Sequence, residues 1–177
     1  MSSERTVDPD ERVPKGDERF SKGEEGEAGL SLRDRIKRLV EEPVGCLCTQ
    51  GESQPYGSLV FFSFSDDLRF AVFATPRATR KYRLLTECDQ VALLLDSRMR
   101  FPEDMMKVEA VTVTGRAVEV AADGPEFKSH ADLLVGRHSY LKSFVSAPSS
   151  ALFRVDVVRY IHVSRFQEVR QWAPSAQ

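Results

Sequence analysis

With 177 residues, 41% of them hydrophobic and 29% charged, and a formal net charge of -2, the chain has the size and balance of one solvated globular domain. Such a length buries a core without help from disulfides or a structural metal, and the near-neutral charge leaves no basic field to attract DNA or RNA. No apolar run approaches the roughly 20 residues of a membrane span, no secretory leader pattern opens the chain, and Cys46, Cys48 and Cys88 lack zinc-site spacing, so a cytoplasmic protein with free thiols is expected.

Residues 1–29 are dense in Glu, Asp, Lys, Arg, Gly and Pro, with Val7, Val13 and Phe20 almost their only large apolar side chains. They cannot bury enough surface to offset an ordering entropy of roughly 1–2 kcal/mol per residue, so a disordered charged tail is expected, followed by one domain over 30–177. Ser31 is an N-cap candidate, and Leu32, Ile36, Leu39 and Val40 recur at helical spacing, which predicts an amphipathic helix ending near Pro43. The period then changes to that of strands: VGCLCTQ, a turn at Gly51-Glu52-Ser53, PYGSLVFFSF, a turn at Asp66-Asp67, and LRFAVFAT predict three successive antiparallel strands. A short helix over about 80–87 leads to QVALLLD, whose unbroken apolar run predicts a strand covered on both faces.

Residues 107–120 read as a long strand in which Val111 and Val113 share one parity and Val118 and Val120 the other, with a β-bulge at Gly115 absorbing the switch. Asp123-Gly-Pro-Glu126 has a capping-box pattern before Phe127, Ala131 and Leu134, and Tyr140, Leu141, Phe144 and Val145 continue a second short helix; these helices are expected to cover a barrel end. The stretch from Ala151 to Trp172 returns to alternation and predicts one or two closing strands. The fold expected is mainly β, with a few helices.

The most informative stretch is FAVFATPRATRKYRLL, residues 70–85. Pro76 ends a strand and Thr79 is the N-cap candidate of the next helix, which places Arg80 and Lys81 in its first turn. The helix dipole disfavours cations there by a few tenths to about 1 kcal/mol each. An anion would reverse that: free backbone N–H groups, a hydroxyl, a guanidinium and an ammonium suit a phosphate, with Arg77 and Arg83 close in sequence. A solvated basic face is the alternative reading of the same residues.

Three stretches in this order, PYGSLVFF, FATPRATRK and VTVTGRAVEV, resemble the FMN-binding split-barrel family that includes pyridoxamine 5'-phosphate oxidase, and the resemblance covers about 30–172. It implies an antiparallel, Greek-key-like split β-barrel in which Thr79, Arg80 and Lys81 hold the FMN phosphate. Ser58, Leu59, Val60, Ala74 and Thr75 would then line the ribityl chain and isoalloxazine through backbone and side-chain contacts, and Trp172 would either stack on the flavin of a second subunit or close a hydrophobic rim. It further implies a homodimer with the flavin at the subunit interface and FMN-dependent oxidoreductase activity on a small molecule. Where the oxidase of the family carries an arginine and a lysine on the second strand, this chain has Ser58 and Ser63, and the oxidase's ring-contacting glutamine falls near Ala110; oxidation of vitamin B6 is therefore not expected. The second half looks more like the haem-utilisation and general oxidoreductase branches of the superfamily, which keeps haem open as an alternative cofactor, with His130, His138 and His162 the candidate ligands; a non-enzymatic protein that binds flavin or a deazaflavin is a further alternative. No carboxylate pair, Ser/His/Asp set or Cys/His pair stands at convincing spacing, so no catalytic residue is assigned.

Overall fold

The computed structural model describes residues 30–51, 53–165 and 168–174. The tail expected over 1–29, and Glu52 of the first expected turn, lie outside the described residues. Ser31 caps α1 (Leu32–Leu39): its hydroxyl accepts the Asp34 N–H at 3.2 Å and donates to the Asp34 carboxylate at 2.7 Å. The strand-period segments form β1 (Val44–Gly51), β2 (Gln54–Phe64) and β3 (Phe70–Pro76), an antiparallel meander as expected.

The chain then crosses over, carrying α2 (Arg80–Glu87), and β4 (Gln90–Asp96) returns beside β1, which gives the order β3-β2-β1-β4 of a Greek key. β5 (Ala110–Glu119) pairs with β4, β6 (Ser150–Ser164) pairs with β5, and β6 closes on β3, making a barrel of six antiparallel strands. β6 meets β3 from Ser150 to Asp156 and then gives the same edge to β7 (Glu168–Trp172) from Tyr160 to Ser164. On its other side β3 meets β2 only at Phe62, Ser63 and Phe64, so among the described residues the β2 edge over 54–61 carries no second strand. The barrel is split along that edge.

Inward positions fill the barrel with Leu47, Val60, Phe62, Phe73, Leu93, Val113, Phe153 and Tyr160, all buried, and each contributes about 1.5–3 kcal/mol relative to exposure. Helix α1 closes one end, with Ile36 and Leu39 in this core, and α2 closes the opposite end, where Leu84 lies against Gly51 and Leu85 joins the core. Arg137 ties α1 down by donating to the carbonyls of Val40 at 2.8 Å and Glu42 at 3.0 Å, which satisfies helix-end acceptors that would otherwise lack partners. Helices α3 (Phe127–Arg137) and α4 (Lys142–Val145) cover a wall of the barrel rather than its end: Leu134 and Val145 bury Val72 of β3 and Leu152 of β6, whose side chains face outward. The alternation of β3 explains this correction, since Ala71 and Phe73 take the inside and Val72 needs a second cover.

Three further details differ from expectation. In β4 only Val91, Leu93 and Leu95 point inward, while the outward Leu94 is 37% exposed, so the apolar run is covered on one face of this chain. In β5 the inward parity runs unbroken through Val111, Val113, Gly115 and Ala117; the irregularity opposite Thr114 and Gly115 skips Val158, so the extra residue belongs to β6. The capping box does not form: Gly124 accepts from the N–H of Phe127 in a tight turn, and Glu126 becomes the N-cap with helical backbone and no side-chain cap. All three cysteines are free, and among the described residues no helix is long and apolar enough to cross a membrane.

At the rim beneath α1, Glu109 hydrogen-bonds Arg35 and lies 3.0 Å from Nε2 of the buried His162. The His162 hydrogen bond is the main cause holding the Glu109 carboxyl below its ordinary value of 4.5. A depressed folded-state pKa gives a stabilising contribution that is complete above pH 4.5 and lost as pH falls through the lower folded value, so Glu109→Gln should flatten the acid limb of denaturation midpoints measured against pH. At the bulge, a Cβ on Gly115 would come 2.5 Å from the Asp156 carbonyl oxygen, so Gly115→Ala should cost about 1–3 kcal/mol in a urea titration.

Candidate cofactor site

The crossover from β3 to β4 builds the site. Thr75, almost fully buried at the end of β3, places its hydroxyl 3.2 Å from that of Thr79. Thr79 caps α2 as expected: its hydroxyl accepts the Tyr82 N–H at 3.2 Å and donates to the Pro76 carbonyl at 2.8 Å. The first turn of α2 holds Arg80 and Lys81 and no acidic residue, so two cations stand at the positive end of the helix dipole.

Both cations reach across the split to β2. Lys81 is half-buried, and its Nζ donates to the Leu59 carbonyl at 3.1 Å on the edge that lacks a second strand. Burial holds its pKa below the ordinary lysine value, and among the described residues no carboxylate pairs with it. The Arg80 guanidinium lies over the Tyr56 ring at 5.2 Å, two residues before Ser58 on the same face of β2. Ser58 Oγ is buried without a hydrogen-bond partner among the described residues. A half-buried ammonium without a carboxylate, a parked guanidinium and an orphaned hydroxyl beside an open strand edge together suit an anionic, hydrogen-bonding ligand.

The structure thus brings together Ser58, the Leu59 carbonyl, Thr75, Thr79, Arg80 and Lys81. The side chains of the remaining residues implied by the resemblance lie apart from this set. Val60 points into the core, Ala74 turns its side chain to the wall covered by α3 and α4, and the Leu59 side chain is 72% exposed on the outer face. Trp172 pairs with Tyr160, nine positions along β6 from the partner of Thr75, roughly 30 Å of strand away. Its ring rests on Tyr160 at 5.3 Å under the Arg33 guanidinium, closing the rim at the α1 end within this chain.

Arg77 does not join Arg80 and Lys81 either; it is turned to Glu119 and Tyr82. Tyr56 escaped the sequence reading, although its place on the inward parity of β2, two before Ser58, is the signal that marks it. Ser63 is buried opposite Val72 on the wall under α3. Each histidine is buried and engaged: His138 Nε2 donates to the Phe62 carbonyl at 2.9 Å and its Nδ1 is 3.1 Å from Tyr140 Oη. His130 Nδ1 lies 2.7 Å from the Glu126 carbonyl, and His162 is held by Glu109. Among the described residues no group of three His, Cys, Asp or Glu side chains could hold a metal.

Six antiparallel strands closed into a split barrel, with a cation-bearing helix start at the opening, define the class of fold. The sequence profile of pyridoxamine 5'-phosphate oxidase matches residues 32–164, and the chain belongs to that family. Nothing among curated proteins matches it. Solved structures show the same fold. A haem-binding protein from Mycobacterium smegmatis superposes with a TM-score of 0.71 at 15% identity, covering 83% of this chain and 60% of its own. The haem storage protein HutZ from Vibrio cholerae gives 0.63 at 16% identity, with 81% and 95% covered. An FAD-binding protein from Mesorhizobium loti gives 0.61 at 21% identity, with 75% and 92% covered. At these identities the likeness is one of fold.

Because the Thr79 hydroxyl both caps α2 and bridges to Pro76, Thr79→Ala should lower stability by about 1 kcal/mol in chemical denaturation, while Thr79→Ser should lose much less.

Proposed function

We propose that the chain binds FMN, holds its phosphate on Thr79, Arg80 and Lys81 at the start of α2, and acts as a flavin-dependent oxidoreductase toward a small molecule. The observation that carries this reading is Lys81: a half-buried ammonium bonded to a backbone carbonyl, beside a second cation and with no acid in the turn. A phosphate monoester, with a charge of about -1.5 to -2 at neutral pH, matches two cations and the free N–H groups of a helix start.

When bound, the isoalloxazine supplies the two-electron chemistry. The work of this chain is to hold and orient it. Arg80 and Lys81 anchor the phosphate, Ser58 Oγ offers a buried hydrogen bond to the polar part of the cofactor, and the β2 edge over 54–61 presents backbone groups not used by a neighbouring strand. With Ser58 and Ser63 at the two second-strand positions where the resemblance implies cations, the substrate is one other than the phosphorylated vitamin.

The active unit is a homodimer with the flavin at the interface. Supporting this is the outer face of β2, β1 and β4, where Leu59 is 72% and Leu94 37% exposed on either side of Cys46 in one register row. A second copy would cover both this row and the outward side of the apolar β4 run.

Haem is the second reading, favoured by two fold relatives that bear haem in their names. The burial of all three histidines, 6%, 3% and 1% exposed, counts against it in this chain.

The purified protein should show the two visible bands of bound flavin, or acquire them on titration with FMN. Arg80→Ala combined with Lys81→Ala should weaken FMN by about 100-fold or more, since two charge-assisted contacts of about 1.5–3 kcal/mol each are removed. An unchanged affinity, or a Soret band on haem titration with no flavin uptake, would overturn the reading.

A further inference from the structure

Arg77 lies three residues before Arg80, in the segment that enters the cationic turn, yet its charge is engaged on the other side. Its Nη2 is 2.6 Å from Glu119 Oε1, and its Nη1 donates to Tyr82 Oη at 2.9 Å. Tyr82 Oη in turn donates to Glu119 Oε2 at 3.0 Å, which closes a ring of three contacts among the loop after β3, the first turn of α2 and the end of β5. The guanidinium also covers the Tyr82 ring at 5.4 Å, and that ring stands edge-on to Phe153 at 6.0 Å. The backbone of the loop is fastened as well, with the Arg77 N–H donating to the Ser149 carbonyl at 2.8 Å.

We propose that Glu119 and Tyr82 are positioning residues for the phosphate site: they withdraw Arg77 from the anion and fix the first turn of α2 before ligand arrives. The inference rests on the FMN reading above. Tyr82 is held at both ends, its N–H by the Thr79 cap and its hydroxyl by Arg77 and Glu119. Rotation of the first turn of α2 would pull that hydroxyl out of the ring, so the ring fixes where the N–H groups, Arg80 and Lys81 point. A turn already ordered pays no ordering cost when phosphate binds, and affinity rises by that amount. The withdrawal also leaves two cations, not three, facing a phosphate dianion, so the charges match.

Tyr82→Phe isolates the effect, because it keeps the ring, the cap and every charge while removing one hydroxyl. Fluorescence-quenching titrations with FMN and with riboflavin, which lacks the phosphate, read it out. Wild-type protein that binds neither flavin removes the cofactor reading and this inference with it. Given wild-type FMN binding, Tyr82→Phe should weaken FMN by about five-fold, the factor of one hydrogen bond, and leave riboflavin unchanged. Glu119→Gln should act in the same direction, and the double variant should lose little more than the weaker single one, as members of one unit do. Equal losses for both flavins would assign the ring a merely structural role. Tighter FMN binding by Glu119→Gln, with Arg77 freed to join the anion, would also overturn the proposal.

Discussion

One strand has to satisfy two neighbours along a single edge, and the rest of the molecule follows from how it does so. β6 is 15 residues long; it gives its first half to β3 and its second half to β7, while β5 runs along the other edge. β3 begins at Phe70 and so has nothing to offer the second half of β6; at its other end Ala74, Thr75 and Pro76 stay paired with β6 but part from β2, which leaves the first part of β2 without an outer neighbour among the described residues. Unpaired strand edges expose backbone donors and acceptors that some other group must satisfy. Here Lys81 satisfies one of them, and its doing so draws the start of α2 against the opening.

The position of α2 is set by the crossover that a Greek key requires. After β3 the chain must pass over the barrel end to reach the far side of β1, and a helix is a compact way to make that passage while burying Leu84 and Leu85. Its N-terminus therefore lies beside the split. Two cations in that turn oppose the dipole and are tolerated because their side chains leave the helix: Arg80 onto the Tyr56 ring and Lys81 onto a carbonyl. Arg77 shows the other solution to a positive neighbourhood, an ion pair with Glu119 on β5.

Much of this was legible in the chain itself. Ser31 and Thr79 announced their helices because a hydroxyl before a helical apolar pattern has few other local uses, and both hydroxyls accept the N–H three residues on. The period-two segments announced the strands, and TPRATRK announced the cations. What stayed hidden depended on neighbours far along the chain. Whether Val72 faced a core or a helix was decided by Leu134 and Val145, and which strand bore the bulge was decided by Val158 on β6, not by Gly115. The partner of Arg77 is 42 residues away at Glu119, on the end of β5, and no local pattern points to it. For Trp172 the sequence left a stacking and a rim-closing reading open, because its place opposite Tyr160 is a property of register, which the sequence carries only weakly.

Leu59 serves two surfaces through different atoms. Its carbonyl binds Lys81 on the split edge, while its side chain stands outward beside Cys46. The lysine thus reads main chain, which every residue type at position 59 would supply, whereas the outer face reads the side chain. Divergence at this position can therefore remodel what the barrel wall meets, or whether it meets anything, while the anchor of the helix turn stays intact. In a fold whose members share little sequence, such a division between main-chain and side-chain duties lets the outer face and the anchor of the helix turn drift at separate rates.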